Sequence, residues 1–300
     1  LLQVEIAQVY ERDLHDDDAA VEAYRRALEM DPSNRTALTA LEVLYSKIDR
    51  PDELLAVYER QLALAADTRE RVKLLFASAA IWEERYQNLA NADACIESAL
   101  HADPTNMQAI RTLERLRRAQ SRWDELVHVL DRHTQLAQSD QERADVCVEM
   151  GDLFVDQLQA YDRAAIAYHQ ALDFQKDSLH ALHALGLLYE RNGNWSHAID
   201  FIEREAKIAG NEPSAVELWF RMGRIAQEGL SDSRRAISSY QEAQRIDPSY
   251  LPAIRALKAI YEEAGDVESY EKTLIEEAKR TDDPEERSKA YVNVARFYEK

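Results

Sequence analysis

An internal repeat of 72 residues constrains this chain more than any other feature. Small and aliphatic residues recur at that step, and no insertion disturbs the register. The recurring sets are Ala20, Ala92, Ala164 and Ala236; Ala37, Ala109, Ala181 and Ala253; and Leu41, Leu113, Leu185 and Leu257. Four full copies cover 288 residues, and the last 12 begin a fifth. A fixed period is the signature of an architecture that stacks like units.

Each copy divides into two pairs of helices. Apolar residues recur at steps of three and four, which is the spacing of one helical face. The chain of 300 residues holds only Gly 7 and Pro 7, too few for a turn-rich β architecture. Helix starts carry caps, as where Ser139 and Glu142 form a capping box. The sequence predicts an all-α fold of seventeen helices, eight antiparallel pairs and one unpaired helix.

Several motifs follow the same order in each copy. Leu185, Gly186 and Tyr189 open one of them, and Ala198 and Ile202 continue it. Further matches are Trp219, Met222 and Gly223 in an opening half, and Ala20, Tyr24, Ala27, Pro32, Ala236, Tyr240, Ala243 and Pro248 in closing halves. This order resembles the tetratricopeptide repeat, a helix pair of about 34 residues. The resemblance implies a right-handed α-solenoid, that is, a superhelix of antiparallel helix pairs.

The period is four residues longer than two such units, so we expect the superhelix to repeat by pairs of units. We interpret residues 1–300 as a single continuous solenoid, and as a segment of a longer chain. Its double repeats cover approximately 1–68, 69–140, 141–212 and 213–283, and a fifth starts at 284–300. The unpaired last helix also predicts end-to-end self-association.

Charge and composition exclude several classes of function. The net charge of −19 disfavours nucleic acids and anionic membranes, because both need clustered cations. No apolar run approaches the length of a membrane span. Cys95 and Cys147 form no metal or disulfide motif. Such cysteine usage favours a reducing compartment, and we predict a cytoplasmic location.

Nothing in the sequence indicates an active site or a cofactor. Phosphate-binding glycine loops, nucleophile elbows and zinc-protease motifs are absent. His180 and His183 share one helical face, and Asp152 offers a third ligand, but surface histidines are the favoured interpretation over a metal site. We therefore predict a non-catalytic scaffold for protein–protein interaction. The alternative is a targeting arm of an enzyme or signalling protein whose catalytic domain lies outside this segment.

The resemblance also implies where a partner binds, because the first helix of each pair lines a concave groove in this family. Matching the groove positions of this chain to those of the family gives one apolar set and one polar set of residues. Arg224 occupies a further groove position of a first helix. The candidates are Phe76, Val148 and Phe220 in the apolar set and Arg111, His183 and Arg255 in the polar set. The alternative for the apolar set is partial burial against the next helix.

Arg111, Arg115 and Arg118 lie on one helical face. Because arginine pairs with carboxylates and phosphates in a bidentate way, they predict an acidic partner whose apolar anchor meets Phe76. The alternative is internal pairing with acidic residues of the next first helix, which are Asp145, Asp152 and Asp156. The family's carboxylate clamp needs asparagine at positions that hold Val43, Ala80, Arg115, Asp152, Leu187, Arg224 and Ala259. A chaperone co-factor is therefore not predicted.

Overall fold

The computed structural model describes residues 2–299, and these residues form seventeen α-helices and no strand. The predicted all-α fold and the helix count are confirmed. The helices are α1 Leu2–Arg12, α2 Asp17–Met30, α3 Arg35–Lys47, α4 Pro51–Leu64, α5 Thr68–Glu84, α6 Leu89–Ala102, α7 Met107–Ala119, α8 Trp123–Leu136, α9 Asp140–Asp156, α10 Tyr161–Phe174, α11 Leu179–Arg191, α12 Trp195–Ala209, α13 Pro213–Arg224, α14 Ser233–Ile246, α15 Leu251–Ala264, α16 Val267–Arg280 and α17 Pro284–Tyr298.

The chain divides into two compact units. Unit 1 ends at Ala137 and contains α1 to α8, and unit 2 begins at Gln138 and contains α9 to α17. Within each unit a helix packs mainly against the helices that precede and follow it. We call the odd-numbered helices first helices and the even-numbered ones second helices.

The core of each pair forms where a small residue lets two helices approach closely. The alanines at the two repeated positions, such as Ala20 and Ala37, are fully buried in every copy. Beside them lie the rings of Tyr24, Tyr168 and Tyr240, each almost fully buried. Burying an aromatic ring of this size contributes about 1.5–3 kcal/mol, so these rings stabilise the pairs that contain α2, α10 and α14.

The turns repeat their backbone geometry with the same period. A left-handed residue ends the turn after the first helix of alternate pairs, with φ values of 56° at Asp49 and Ser121, 69° at Gly193 and 67° at Gly265. A second such series occupies His15, Gln87, Gln159 and Ser231. Left-handed backbone favours glycine, yet six of these eight turns use another residue. The connection length therefore fixes the turn conformation, and the side chain adapts to it.

Two further features position the helices. Asp31, Asp103 and Asp247 each accept hydrogen bonds from the amide and the hydroxyl two residues later, which shapes the same turn in three copies. A π-helical turn at Ile225–Gly229 extends α13. No helix among residues 2–299 combines the length and the apolar character that crossing a membrane requires.

Candidate functional site

The first helices of unit 1 present a cavity beside Phe76. The cavity measures about 400 Å³ and lies between α5 and the start of α7. Its lining is Thr68, Arg69, Val72, Lys73, Phe76, Asp103, Asn106 and Gln108. Phe76 is half-buried because one side of its ring packs on the core of unit 1. Phe76, a predicted binding residue, is thus a partly covered ring at the wall of a cavity.

The charges at this cavity are unequal. Arg69 and Lys73 are exposed one helical turn apart, and neither forms an ion pair with any residue that the structure describes. The single carboxylate, Asp103, accepts hydrogen bonds from the Thr105 amide at 3.1 Å and the Thr105 hydroxyl at 2.9 Å. These bonds hold the pKa of Asp103 below its ordinary value. The cavity therefore carries two available cations beside one carboxylate that is already bonded.

Arg111, Arg115 and Arg118 are exposed on α7, as the helical spacing predicts. Arg115 pairs with Glu83 of α5 through two hydrogen bonds of 2.5 and 2.7 Å. These bonds lower the pKa of Glu83. Glu83 was not among the acidic residues that the sequence offered as partners for the arginines.

The three aspartates that the sequence offers as partners for the arginines lie on α9 of unit 2, and their surroundings differ from one another. Asp152 accepts hydrogen bonds from the Tyr168 hydroxyl at 2.6 Å and interacts with His180 Nε2 at 2.8 Å. Asp145 accepts one from Gln141 at 2.8 Å, and Asp156 is exposed. Together with burial, the bond to Asp152 raises the pKa of Tyr168. Val148, on the same helix, is half-buried.

A second cavity, of about 450 Å³, lies in unit 2 between α9 and α11. Apolar side chains form most of its wall, and two of them, Leu179 and Leu187, are about half exposed. Its polar lining includes two pairs, His180 with Asp152 and His183 with Glu205, and the His183 Nδ1 lies 3.0 Å from Glu205 Oε1. No three His, Cys, Asp or Glu residues between 2 and 299 are arranged to hold a metal ion.

The remaining predicted residues lie along α13 and α15. Phe220 is half-buried between the rings of Tyr240 and Tyr250, whose centroids lie 5.4 and 5.5 Å from the centroid of its own ring. Arg224 lies 3.5 Å from a carboxylate oxygen of Glu190. Arg255 contacts Glu277 at 3.0 Å and Glu286 at 3.1 Å. These three side chains therefore make contacts within unit 2.

Family models with the description "Tetratricopeptide repeat" match four segments of the sequence. One model matches residues 37–72 and 181–215, and another matches residues 2–34 and 216–250. The chain is a tetratricopeptide repeat protein. Each matched segment holds one helix pair, so the resemblance seen in the sequence is confirmed.

Solved structures of other tetratricopeptide repeat proteins are similar in part. A crystal structure of MamA has 17% identity and a TM-score of 0.41, over 60% of this chain and 93% of that one. YrrB, described as "a TPR protein with an unusual peptide-binding site", has 13% identity and a TM-score of 0.39, over 79% of this chain and 98% of that one. Because these scores are low, the family assignment rests on the repeat matches. No curated protein sequence matches the chain significantly.

Several residues of these tetratricopeptide repeats were not singled out by sequence. Arg69 and Lys73 line the Phe76 cavity, and Glu205 lines the cavity of unit 2. A signal for the first two was present, because Arg69, Lys73 and Phe76 have the spacing of one helical face. Glu205 lies on a second helix, so attention to first helices alone could not find it.

Proposed function

We propose that this tetratricopeptide repeat protein is a non-catalytic interaction scaffold that binds an acidic protein segment through the first helices of unit 1. Repeats of this family serve in general as protein–protein interaction scaffolds. The observation that carries the finer proposal is the cavity beside Phe76, where Arg69 and Lys73 have no ionic partner among residues 2–299.

The cavity matches an acidic segment with an apolar anchor. An apolar side chain of the partner covers the exposed part of Phe76, while neighbouring carboxylates or phosphates meet Arg69 and Lys73. In a chain of net charge −19, such a local pair of cations attracts acidic groups that the rest of the surface repels. If Arg69 or Lys73 were replaced by an acidic residue, its negative charge would add to that of Asp103 and the attraction would be lost.

The available energies suit a weak interaction. Full cover of an aromatic ring contributes about 1.5–3 kcal/mol, and Phe76 is already half-buried. A hydrogen bond to a charged group contributes about 1.5–3 kcal/mol where water is excluded and much less where the group is exposed. After the costs of association, these terms support a dissociation constant of about micromolar order.

The other predicted residues extend this proposal along the first helices. Arg111, Arg115 and Arg118 place further positive charge on α7, and Arg115 keeps Glu83 as its partner in the absence of a ligand. For unit 2 the candidates remain Val148, His183, Phe220, Arg224 and Arg255. A single continuous solenoid over residues 1–300 and end-to-end self-association also remain proposals.

The test uses an array of short random peptides, probed with the purified chain. We expect the bound peptides to be enriched in Asp or Glu next to a large apolar residue. The double variant Arg69→Ala/Lys73→Ala removes both cations and should weaken binding of the best acidic peptide about tenfold or more, since two charge-assisted contacts are lost. Fluorescence polarisation measures this dissociation constant.

The matched control is Arg25→Ala/Arg60→Ala. It removes the same charge from exposed arginines on the second helices α2 and α4 of unit 1, and it should leave the affinity nearly unchanged. Equal weakening in both double variants would mean that net charge alone governs binding. An array without acidic enrichment would refute the proposed partner class.

A further inference from the structure

One polar pair joins the two helices of alternate repeats. The first helix supplies position 42, 114, 186 or 258, and the second helix supplies position 61, 133, 205 or 277. Glu42 accepts a hydrogen bond from Gln61 at 2.9 Å, Glu114 lies 2.7 Å from His133 Nδ1, and Lys258 pairs with Glu277. The pair at positions 186 and 205 departs from this rule, because residue 186 is Gly186 and has no side chain to offer.

The missing side chain leaves a carboxylate oxygen without a donor. Glu205 Oε1 interacts with His183, but Glu205 Oε2 is buried and has no hydrogen-bond partner among the described residues. At the equivalent Glu277, Arg255 donates to Oε1 at 3.0 Å and Lys258 donates to Oε2. Lys258 thus supplies, in its copy, the cation that Gly186 cannot supply at the equivalent position of the other copy.

Glu205 lies in the wall of the unit 2 cavity, together with Asp152 and the apolar side chains of Val155, Leu179 and Leu187. Lysine and arginine side chains combine a long apolar stem with a cationic head, so they suit a lining of this mixed kind. A buried acceptor without a donor is costly, and a cationic donor from outside removes that cost. An acidic side chain would instead meet two carboxylates.

We propose that this cavity takes a lysine or arginine side chain of the partner protein. The stem lies against Leu179, Leu187 and Val155, and the cationic head interacts with Glu205 and Asp152. The inference rests on the proposed function as a scaffold, but it concerns unit 2 and a basic residue, whereas the acidic segment is assigned to unit 1. The partner is thus expected to offer both charges, in separate segments.

The test uses the same array of short random peptides. We expect a second group of bound peptides, enriched in Lys or Arg beside an apolar residue. Glu205→Gln keeps the shape of the side chain and removes its charge, and it should weaken the best basic peptide about tenfold or more. Leu187→Ala, at a half-exposed position, should also weaken it and serves as a second variant on a folded chain.

The matched control is Glu277→Gln, which makes the same change where Arg255 and Lys258 already occupy the carboxylate. It should leave the affinity for the basic peptide unchanged. A peptide with norleucine in place of lysine keeps the stem and loses the cation. Equal binding of that peptide would show an apolar pocket only and would overturn the proposal.

The outcomes separate this inference from the function proposed above. If acidic peptides bind through Arg69 and Lys73 but no basic peptide depends on Glu205, only the inference about unit 2 fails. If the array shows no binding at all, the scaffold proposal fails as well. If basic peptides respond equally to Glu205→Gln and Glu277→Gln, the cavity of unit 2 is not their site.

Discussion

Units 1 and 2 use different side chains at one repeat position where a first helix packs against a second helix. In unit 1, Arg117 of the first helix α7 is buried and pairs with two residues of the second helix α6, Asp93 at 3.1 Å and Glu97 at 3.3 Å. At the equivalent place in unit 2, Tyr189 stacks on Phe201 at 5.6 Å and on His197 at 5.3 Å. An ionic cluster and an aromatic cluster therefore occupy one repeat position.

The contact between the helices of a pair also differs between copies. In unit 2, a Cβ atom added at Gly151 would lie 2.6 Å from Tyr168 Cδ1, so only glycine fits against that ring. In unit 1, the equivalent residues are Ala79 and Ile96 in one copy and Ala7 and Tyr24 in the other, all of them buried. The residues at this contact therefore differ from copy to copy, and glycine accompanies the tyrosine only in unit 2.

The exposed face of the first helices also differs between the units. Unit 1 presents Arg69, Lys73, Arg111, Arg115 and Arg118, whereas the equivalent residues of unit 2 are Gln141, Asp145, His183, Leu187 and Glu190. The buried alanines are identical in all copies. The comparison teaches that the repeat fixes the core and leaves the polar contacts and the surface free to differ.

The largest expected effect comes from the buried ionic cluster. Arg117→Met leaves Asp93 buried with a weaker set of partners, since among the described residues only Arg122 remains as its ionic partner, at 2.9 Å. Removing one partner of a buried pair costs about 3–5 kcal/mol, and we expect the lower end. The matched variant Tyr189→Met in unit 2 loses ring stacking and should cost only about 1 kcal/mol beyond lost burial.

Hydrogen exchange of α6 to α8 and of α10 to α12 measures the two losses separately, because stability in repeat arrays is local. The double variant Asp93→Asn/Arg117→Met should recover much of the loss. Equal losses at both positions would break the comparison between ionic and aromatic clusters.

A smaller effect is expected at the glycine of unit 2. Gly151→Ala overpacks the contact with Tyr168 and should destabilise α9 and α10 by about 1–3 kcal/mol. Adding Tyr168→Ile recreates the pair found at Ala79 and Ile96, and it should restore at least half of that loss, even without the hydroxyl bond to Asp152. Thermal denaturation of the single and double variants measures the coupling free energy between residues 151 and 168. If the two effects were purely additive, the predicted compensation would be contradicted. The control Ala79→Gly in unit 1 should cost only about 1 kcal/mol.

The smallest effect concerns pH. The partial burial of the His169 ring, which packs edge-on against Phe201 at 5.5 Å, lowers its pKa from the ordinary value of 6.5. Nearby His197 and Arg204 lower it further, and Asp173 opposes them. The folded state then binds the proton less readily than the unfolded state does. Its contribution to stability is present above pH 6.5 and is lost as the pH falls through the folded pKa.

NMR titration of the His169 ring measures this pKa, and His169→Gln should remove the corresponding part of the pH dependence of unit 2. Unit 1 carries Glu97 at this place and lacks the imidazole. A folded pKa at or above the ordinary value would contradict the role assigned to burial.

The sequence by itself determined the helices, their pairing and the repeat. The positions of Ala20, Ala37 and their equivalents follow from periodicity, because a buried small residue recurs wherever two helices cross in the same way. The spacing of Arg111, Arg115 and Arg118 likewise places them on one exposed face. These features depend on neighbours along one helix, which the sequence shows directly.

Only the tertiary structure decided which polar groups meet. It assigned Glu83 to Arg115 across two helices, left Arg69 and Lys73 without ionic partners among residues 2–299, and left a buried oxygen of Glu205 without a hydrogen-bond partner among the same residues. The physical reason is reach. Periodicity tells which way a side chain points from its own helix, but pairing across helices depends on the length, rotamer and neighbours of side chains far apart in sequence.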